Sequence, residues 1–162
     1  MNLYNSTVEL HRSDDKSRIF RVFPDYPLRV FTPGQYGSLG LLSSSGNSKL
    51  VKRAYSISSS IIDIESQKLI NHRKVEYLEF YINRVKKNSK REQITPKLFN
   101  LKTGDRIFCG EKIVGHYYID DIEKWKNIIL ISSHTGESPN NSIVNQLLLK
   151  NIKSKIININ VG

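Results

Sequence analysis

The sequence predicts a mainly β protein: an antiparallel barrel or sandwich, followed by the first β-α-β unit of an α/β domain. Three observations lead there. Up to Ile119 the chain is a series of short mixed apolar and polar runs separated by turn residues, the pattern of an antiparallel all-β unit. Beyond Trp125 the pattern changes to an unbroken apolar run, Ile128-Ile129-Leu130-Ile131, which suits a parallel strand buried on both faces. Ile143, Val144, Leu147 and Leu148 then recur at helical spacing, and Lys155 to Val161 is a further apolar strand.

Taken in order, Ser6 to Arg12 and Ser17 to Phe23 read as strands joined by a turn at Ser13-Asp14-Asp15-Lys16. Pro24 to Pro27 ends the second. Thr32-Pro33-Gly34-Gln35 reads as a tight turn, with proline fixing φ and glycine supplying a positive φ. Tyr36 to Leu42 follows as a strand, then a polar loop from Ser43 to Ser48. Ala54 to Ser60 and Tyr77 to Val85 are strands, and Ile61 to Lys74 between them is a surface excursion. Thr95 as N-cap and Pro96 at the first helical position predict a short helix over Pro96 to Leu101. Arg106 to Cys109 and Ile113 to Ile119 are short strands. Asn127 to Ser133, a helix opened by Ser138-Pro139, and Lys155 to Val161 make the β-α-β unit. The domain boundary is placed between Ile119 and Lys126, giving units of 1–122 and 123–162. A lone β-α-β unit cannot cover both faces of a sheet, so the second unit is expected to be truncated.

The 162 residues, 38% of them hydrophobic, suffice for a real core and fit one domain or one and a half. This is not the composition of a disordered chain. No apolar stretch approaches the ~18 residues of a membrane span. The first residues carry no basic segment followed by an apolar run, so no signal peptide is read and a cytoplasmic location is expected. Cys109 is the sole cysteine, which excludes an intrachain disulfide and a Cys-ligated iron–sulfur cluster. His11, His72 and His116 form no metal pattern. The net charge of +10 admits a nucleic-acid partner, an acidic protein partner or merely a solvated basic surface. Its cations are spread along the chain apart from Lys86-Lys87 and Lys90-Arg91. No nucleic-acid motif accompanies them, and nucleic acid and membrane are not expected partners.

The sharpest chemical signal is Arg53-Ala54-Tyr55-Ser56 after Pro33-Gly34-Gln35-Tyr36. A cation and an aromatic plate two positions apart share one face of a strand. Alone, the tetrapeptide reads equally as an ordinary strand. The order continues through Leu78-Glu79-Phe80-Tyr81, Ile94-Thr95-Pro96-Lys97-Leu98, Leu101-Lys102-Thr103-Gly104-Asp105 and Thr135-Gly136-x-x-Pro139. Together these resemble the ferredoxin–NADP reductase family of the bacterial type, across nearly the whole chain.

The resemblance implies a flavin-binding barrel followed by part of an NAD(P)-binding domain, with FAD as cofactor and NADP(H) as co-substrate. Tyr55 would stack on the isoalloxazine and Ser56 would face its hydride-accepting nitrogen, which makes these two the catalytic candidates. Arg53 would pair with the pyrophosphate, a contact a guanidinium makes better than an ammonium. Ala54, Tyr81, Gln93, Ile94, Thr95, Thr135 and Gly136 complete the implied binding set. Glu92 and His134 stand where the family has glycines. The implied reaction is electron transfer between NADPH and ferredoxin or flavodoxin, acidic carriers that a basic surface would favour. Alternatives are an NADH-dependent reductase component of an oxygenase, a non-catalytic flavin-binding fragment, and a basic nucleic-acid-binding barrel.

Overall fold

The computed structural model describes residues 3–43, 49–59, 62–63, 65–71, 73–84 and 94–161. Gln93, Glu92, His72, Val85 and the pairs Lys86-Lys87 and Lys90-Arg91 lie outside them. Six strands, β1 (Ser6–Ser13), β2 (Ser17–Pro24), β3 (Tyr36–Leu42), β4 (Leu50–Ser58), β5 (Leu78–Asn83) and β6 (Arg106–Cys109), close an antiparallel barrel in the order β1-β2-β5-β4-β3-β6. The β1–β2 turn is set by Asp14, whose carboxylate accepts from the Lys16 and Ser17 N–H groups and from the Ser17 hydroxyl. Those bonds hold its pKa below the usual value. β4 begins at Leu50, ahead of the expected Ala54, because its ladder with β3 runs unbroken from Leu42↔Leu50 to Tyr36↔Ser56.

Period-two alternation fills the barrel with Val8, Phe20, Val22, Leu39, Ile57, Leu78, Phe80, Ile82 and Ile107. Each such side chain contributes about 1.5–3 kcal/mol by leaving water. Cys109 belongs to this core, and burial pushes its thiol pKa up.

A short helix, α1 (Thr95–Leu98), lies between β5 and β6. It ends earlier than predicted, and Thr95 does not cap it: Ile94 holds the cap position, without a side-chain bond. The Thr95 hydroxyl has another partner, the phenol of Tyr55 at 2.9 Å. The strand predicted over Ile113 to Ile119 reduces to one bridge, Tyr36↔Val114. Gly115 follows with φ +124°, which breaks the extended run.

The remaining unit is β7 (Asn127–Ser133), α2 (Glu137–Leu149) and β8 (Lys155–Val161), with β7 and β8 parallel from Asn127↔Lys155 to Ser133↔Val161. Ile128, Leu130, Ile143 and Leu147 form its core together with Ile122. β7 is not buried on both faces. Ile129 and Ile131 are 58% and 66% exposed, because α2 covers only the other side of this two-stranded sheet. Leu148 likewise turns outward at 40% exposure.

Helix α2 docks on the barrel through polar groups. Ser138 and Ser142 donate to the Ser56 and Ile57 carbonyls at 3.1 and 2.7 Å, and Asn145 donates to the Ile70 carbonyl at 2.9 Å. Tyr117 donates to the Asn140 side chain at 2.8 Å. All four α2 side chains are buried, so these bonds offset their desolvation.

Candidate functional site

The barrel is not evenly laced. β4 and β5 pair only at Ile57↔Phe80 and Ser58↔Glu79. Beyond those pairs, Ala54 to Ser56 pair as strand only with β3, and Tyr81 to Asn83 only with β2. The strands splay, and a cleft of about 570 Å³ opens between them. Its size lies within the roughly 300–1,000 Å³ typical of small-molecule sites. One wall carries Ala54, Tyr55 and Ser56, and the other carries Tyr81, Ile82, Asn83 and Arg84. Thr95, at the start of α1, closes one part. His134, Thr135 and Ser138, from the turn after β7 and the first turn of α2, close another.

Two aromatic rings, Tyr55 and Tyr81, offer flat apolar surface in this cleft. Ser56, Thr95, Thr135 and Ser138 offer hydroxyls, and Arg84 offers a guanidinium. No carboxylate is among the described lining side chains. Tyr55 packs on the barrel core and is fixed through the Thr95 bond. Burial raises its phenol pKa, while the Thr95 bond and the charge of Arg53 pull the other way. Strand alternation puts Arg53 on the same face of β4 as Tyr55.

His134 has φ +51°, the left-handed conformation that glycine adopts freely and other residues at a cost of about 1–2 kcal/mol. The turn thus keeps a glycine-like backbone, with an exposed imidazole added to the cleft wall.

A larger groove of about 750 Å³ lies on the far side of Tyr81. It carries the carboxylates of Asp14, Glu79 and Glu137, of which Glu79 is buried and paired with Arg21 at 3.5 Å. Three carboxylates against the one arginine, Arg12, suit an anionic ligand less well than the cleft does, whose described lining has Arg84 and no carboxylate.

The cleft brings together Ala54, Tyr55, Ser56, Tyr81, Thr95 and Thr135 of the residues singled out from the sequence. Arg53 is exposed and outside the lining set. Ile94 is 1% exposed, its side chain spent in the core. Gly136 sits at the N-cap of α2, behind Thr135. Asn83, Arg84 and Ser138 also line the cleft and are not among the site residues expected from the sequence. Their place depends on where β5 parts from β4, which no local pattern encodes.

No family model matches the chain. The flavodoxin/ferredoxin–NADP reductase of Buchnera aphidicola subsp. Baizongia pistaciae is 30% identical over 124 residues, covering 76% of this chain and 43% of the relative. The ferredoxin–NADP reductase of Pseudomonas aeruginosa is 29% identical over 144 residues, covering 88% and 48%. The chain thus spans less than half the length of these curated relatives. A crystal structure of a ferredoxin NADP+ reductase from Neisseria gonorrhoeae with bound FAD and NADP superposes with a TM-score of 0.72 at 18% identity, covering 96% of this chain and 56% of the other. At that identity the structural likeness speaks for the fold, and the sequence relatives carry the kinship: the chain is homologous to ferredoxin/flavodoxin–NADP reductases over part of their length.

Proposed function

We propose that the chain is the flavin-binding part of an oxidoreductase that passes electrons between NADPH and ferredoxin or flavodoxin through FAD. The observation that carries this reading is the cleft between the splayed β4 and β5: among its described lining residues, an aromatic plate at Tyr55, a ring of hydroxyls, a guanidinium, and no carboxylate. That donor set fits a flat heteroaromatic ring joined to an anionic tail. The names of the Buchnera and Pseudomonas relatives describe that activity for those proteins. Residues 1–122 would form the FAD-binding domain, and 123–162 the opening of the NAD(P)-binding domain.

FAD, when bound, supplies the hydride and single-electron chemistry. The protein's own residues position and shield it. Tyr55 stacks on the ring and excludes water from one face. The Ser56 hydroxyl stands ready to bond a ring nitrogen, while its carbonyl is tied to Ser138 of α2. Thr135 reaches the cleft from the turn after β7, where strand ends in open α/β sheets receive dinucleotides. Arg53 contributes positive charge near Tyr55. The excess of cations over the whole chain favours an acidic carrier.

The test is to purify the chain, supply FAD, and titrate it anaerobically with NADPH and with NADH. A yellow protein bleached by NADPH supports the full reading. A yellow protein bleached by neither leaves a flavin-binding domain without the transfer step. A protein that refuses FAD sinks the reading altogether. Arg53→Ala is expected to weaken FAD retention about tenfold, the value of one charge-assisted contact, and Lys52→Ala to leave it unchanged. Lys52 leaves the opposite face of β4, with its ammonium 4.1 Å from the Phe108 ring centre. Equal retention in the two variants would remove Arg53 from the site.

A further inference from the structure

Among the described residues lining the cleft, Arg84 carries the only arginine or lysine head. Its setting is specific. Its backbone N–H donates to the Lys16 carbonyl at 2.7 Å, which anchors the chain just past β5 to the start of β2. Its guanidinium carbon stands 5.0 Å from the centre of the Phe99 ring, at the C-terminal end of α1. Arg18 stands over the same ring at 4.5 Å. Phe99 is 4% exposed and therefore a fixed platform.

A guanidinium that stacks on a ring uses its flat face, while its N–H donors lie in the plane and point outward. Stacking therefore orients the fork without consuming it. No carboxylate of the described residues lies within ion-pair distance of Arg84. Arg18 has one Nη bonded to the Leu101 carbonyl, and its buried Nε has no partner. Among the described residues, two guanidiniums thus share one ring with no carboxylate paired to either, next to a cleft whose described lining has none. Such a field favours a phosphate.

We propose that Arg84 is a phosphate-binding residue of this cleft, gripping the phosphate nearest the flavin ring. The assignment rests on the flavin reading above. It names that phosphate because Arg84 and the Tyr55 plate line one and the same cavity. Phe99 is then a positioning residue that holds the guanidinium in place.

The experiment measures dissociation constants of FAD, FMN and riboflavin for the wild-type chain, Arg84→Gln and Arg84→Lys. Arg84→Gln is expected to weaken FAD and FMN about 10- to 100-fold, the range for a bond to a charged group, and to leave riboflavin unchanged. Arg84→Lys should fall between, since it keeps the charge and loses the planar fork. A loss shared equally by riboflavin would make Arg84 a shaper of the cleft and overturn the proposal. So would a loss for FAD alone, or no loss at all. A wild-type chain that binds none of the three flavins removes the flavin reading itself, which the variants cannot do. Arg84 is exposed, so these substitutions leave the core intact.

Discussion

Replacing Gly34 with alanine is expected to cost the fold about 4 kcal/mol or more, enough to leave most small domains marginal or unfolded. Gly34 has φ +99°, and a Cβ built there would sit 1.6 Å from the Tyr117 carbonyl oxygen and 2.7 Å from its carbon. Backbone atoms cannot rotate away as a flexible side chain can. The surrounding chain is also pinned. The Tyr117 hydroxyl is bonded to Asn140 of α2, Gln35 bonds the Thr32 N–H and the Gly115 carbonyl, and Tyr36 exchanges both backbone bonds with Val114. The turn therefore clasps the segment that leads from the barrel to the β-α-β unit. Gly104→Ala is the control, because Gly104 has a similar φ of +94° and nothing within 4 Å of the added carbon. It should show conformational strain alone, about 1–2 kcal/mol. Urea unfolding midpoints for both variants decide the matter. If Gly34→Ala loses no more than Gly104→Ala, the close approach to Tyr117 does not exist.

That turn also shows what the sequence could and could not convey. Pro33-Gly34 announces a turn because proline and glycine have narrow and unusual backbone preferences. The same local logic served Asp14, the β1, β2 and β3 strands, and the β7-α2-β8 order, since each rests on neighbours in the chain. What Gly34 touches lies more than eighty residues away and has no local signature. The other misreadings share that cause. Thr95 has the chemistry of a helix cap, yet its hydroxyl goes to a tyrosine on another strand. Ile129 and Ile131 belong to an apolar run, yet among the described residues only α2 packs on the sheet, and it covers the other face. Ile113 to Ile119 has strand-forming residues, yet Gly115 turns the backbone out of register. Arg84 has no local signature either, and it reaches the cleft only because β5 parts from β4. Tyr55, Ser56, Tyr81 and Thr95, which share the cleft lining, are singled out in the sequence by a resemblance rather than by periodicity.

Tyr55→Ala should reduce flavin affinity about 10- to 100-fold, with Tyr55→Phe losing much less. Stacking a heteroaromatic base on an aromatic side chain is worth about 1–3 kcal/mol, which sets the alanine value. Phenylalanine keeps the plate and removes only the hydroxyl, whose bond to Thr95 is worth about 0.5–1.5 kcal/mol. Two further consequences separate stacking from mere support of the strand. The Thr95 hydroxyl lines the same cleft, so Tyr55→Phe frees it to meet the ligand and offsets part of the loss. Thr95→Val breaks the same bond, so the double variant should lose less than the two single losses added together, the shared bond being lost only once. In contrast, if Tyr55 only braces β4, alanine and phenylalanine should separate in thermal stability and not in flavin affinity. Circular dichroism melts run beside flavin titrations supply both readouts. Flavin binding that survives Tyr55→Ala undiminished would show that the ring lies elsewhere, since no other aromatic side chain among the described residues shares both the β4 wall and the cleft.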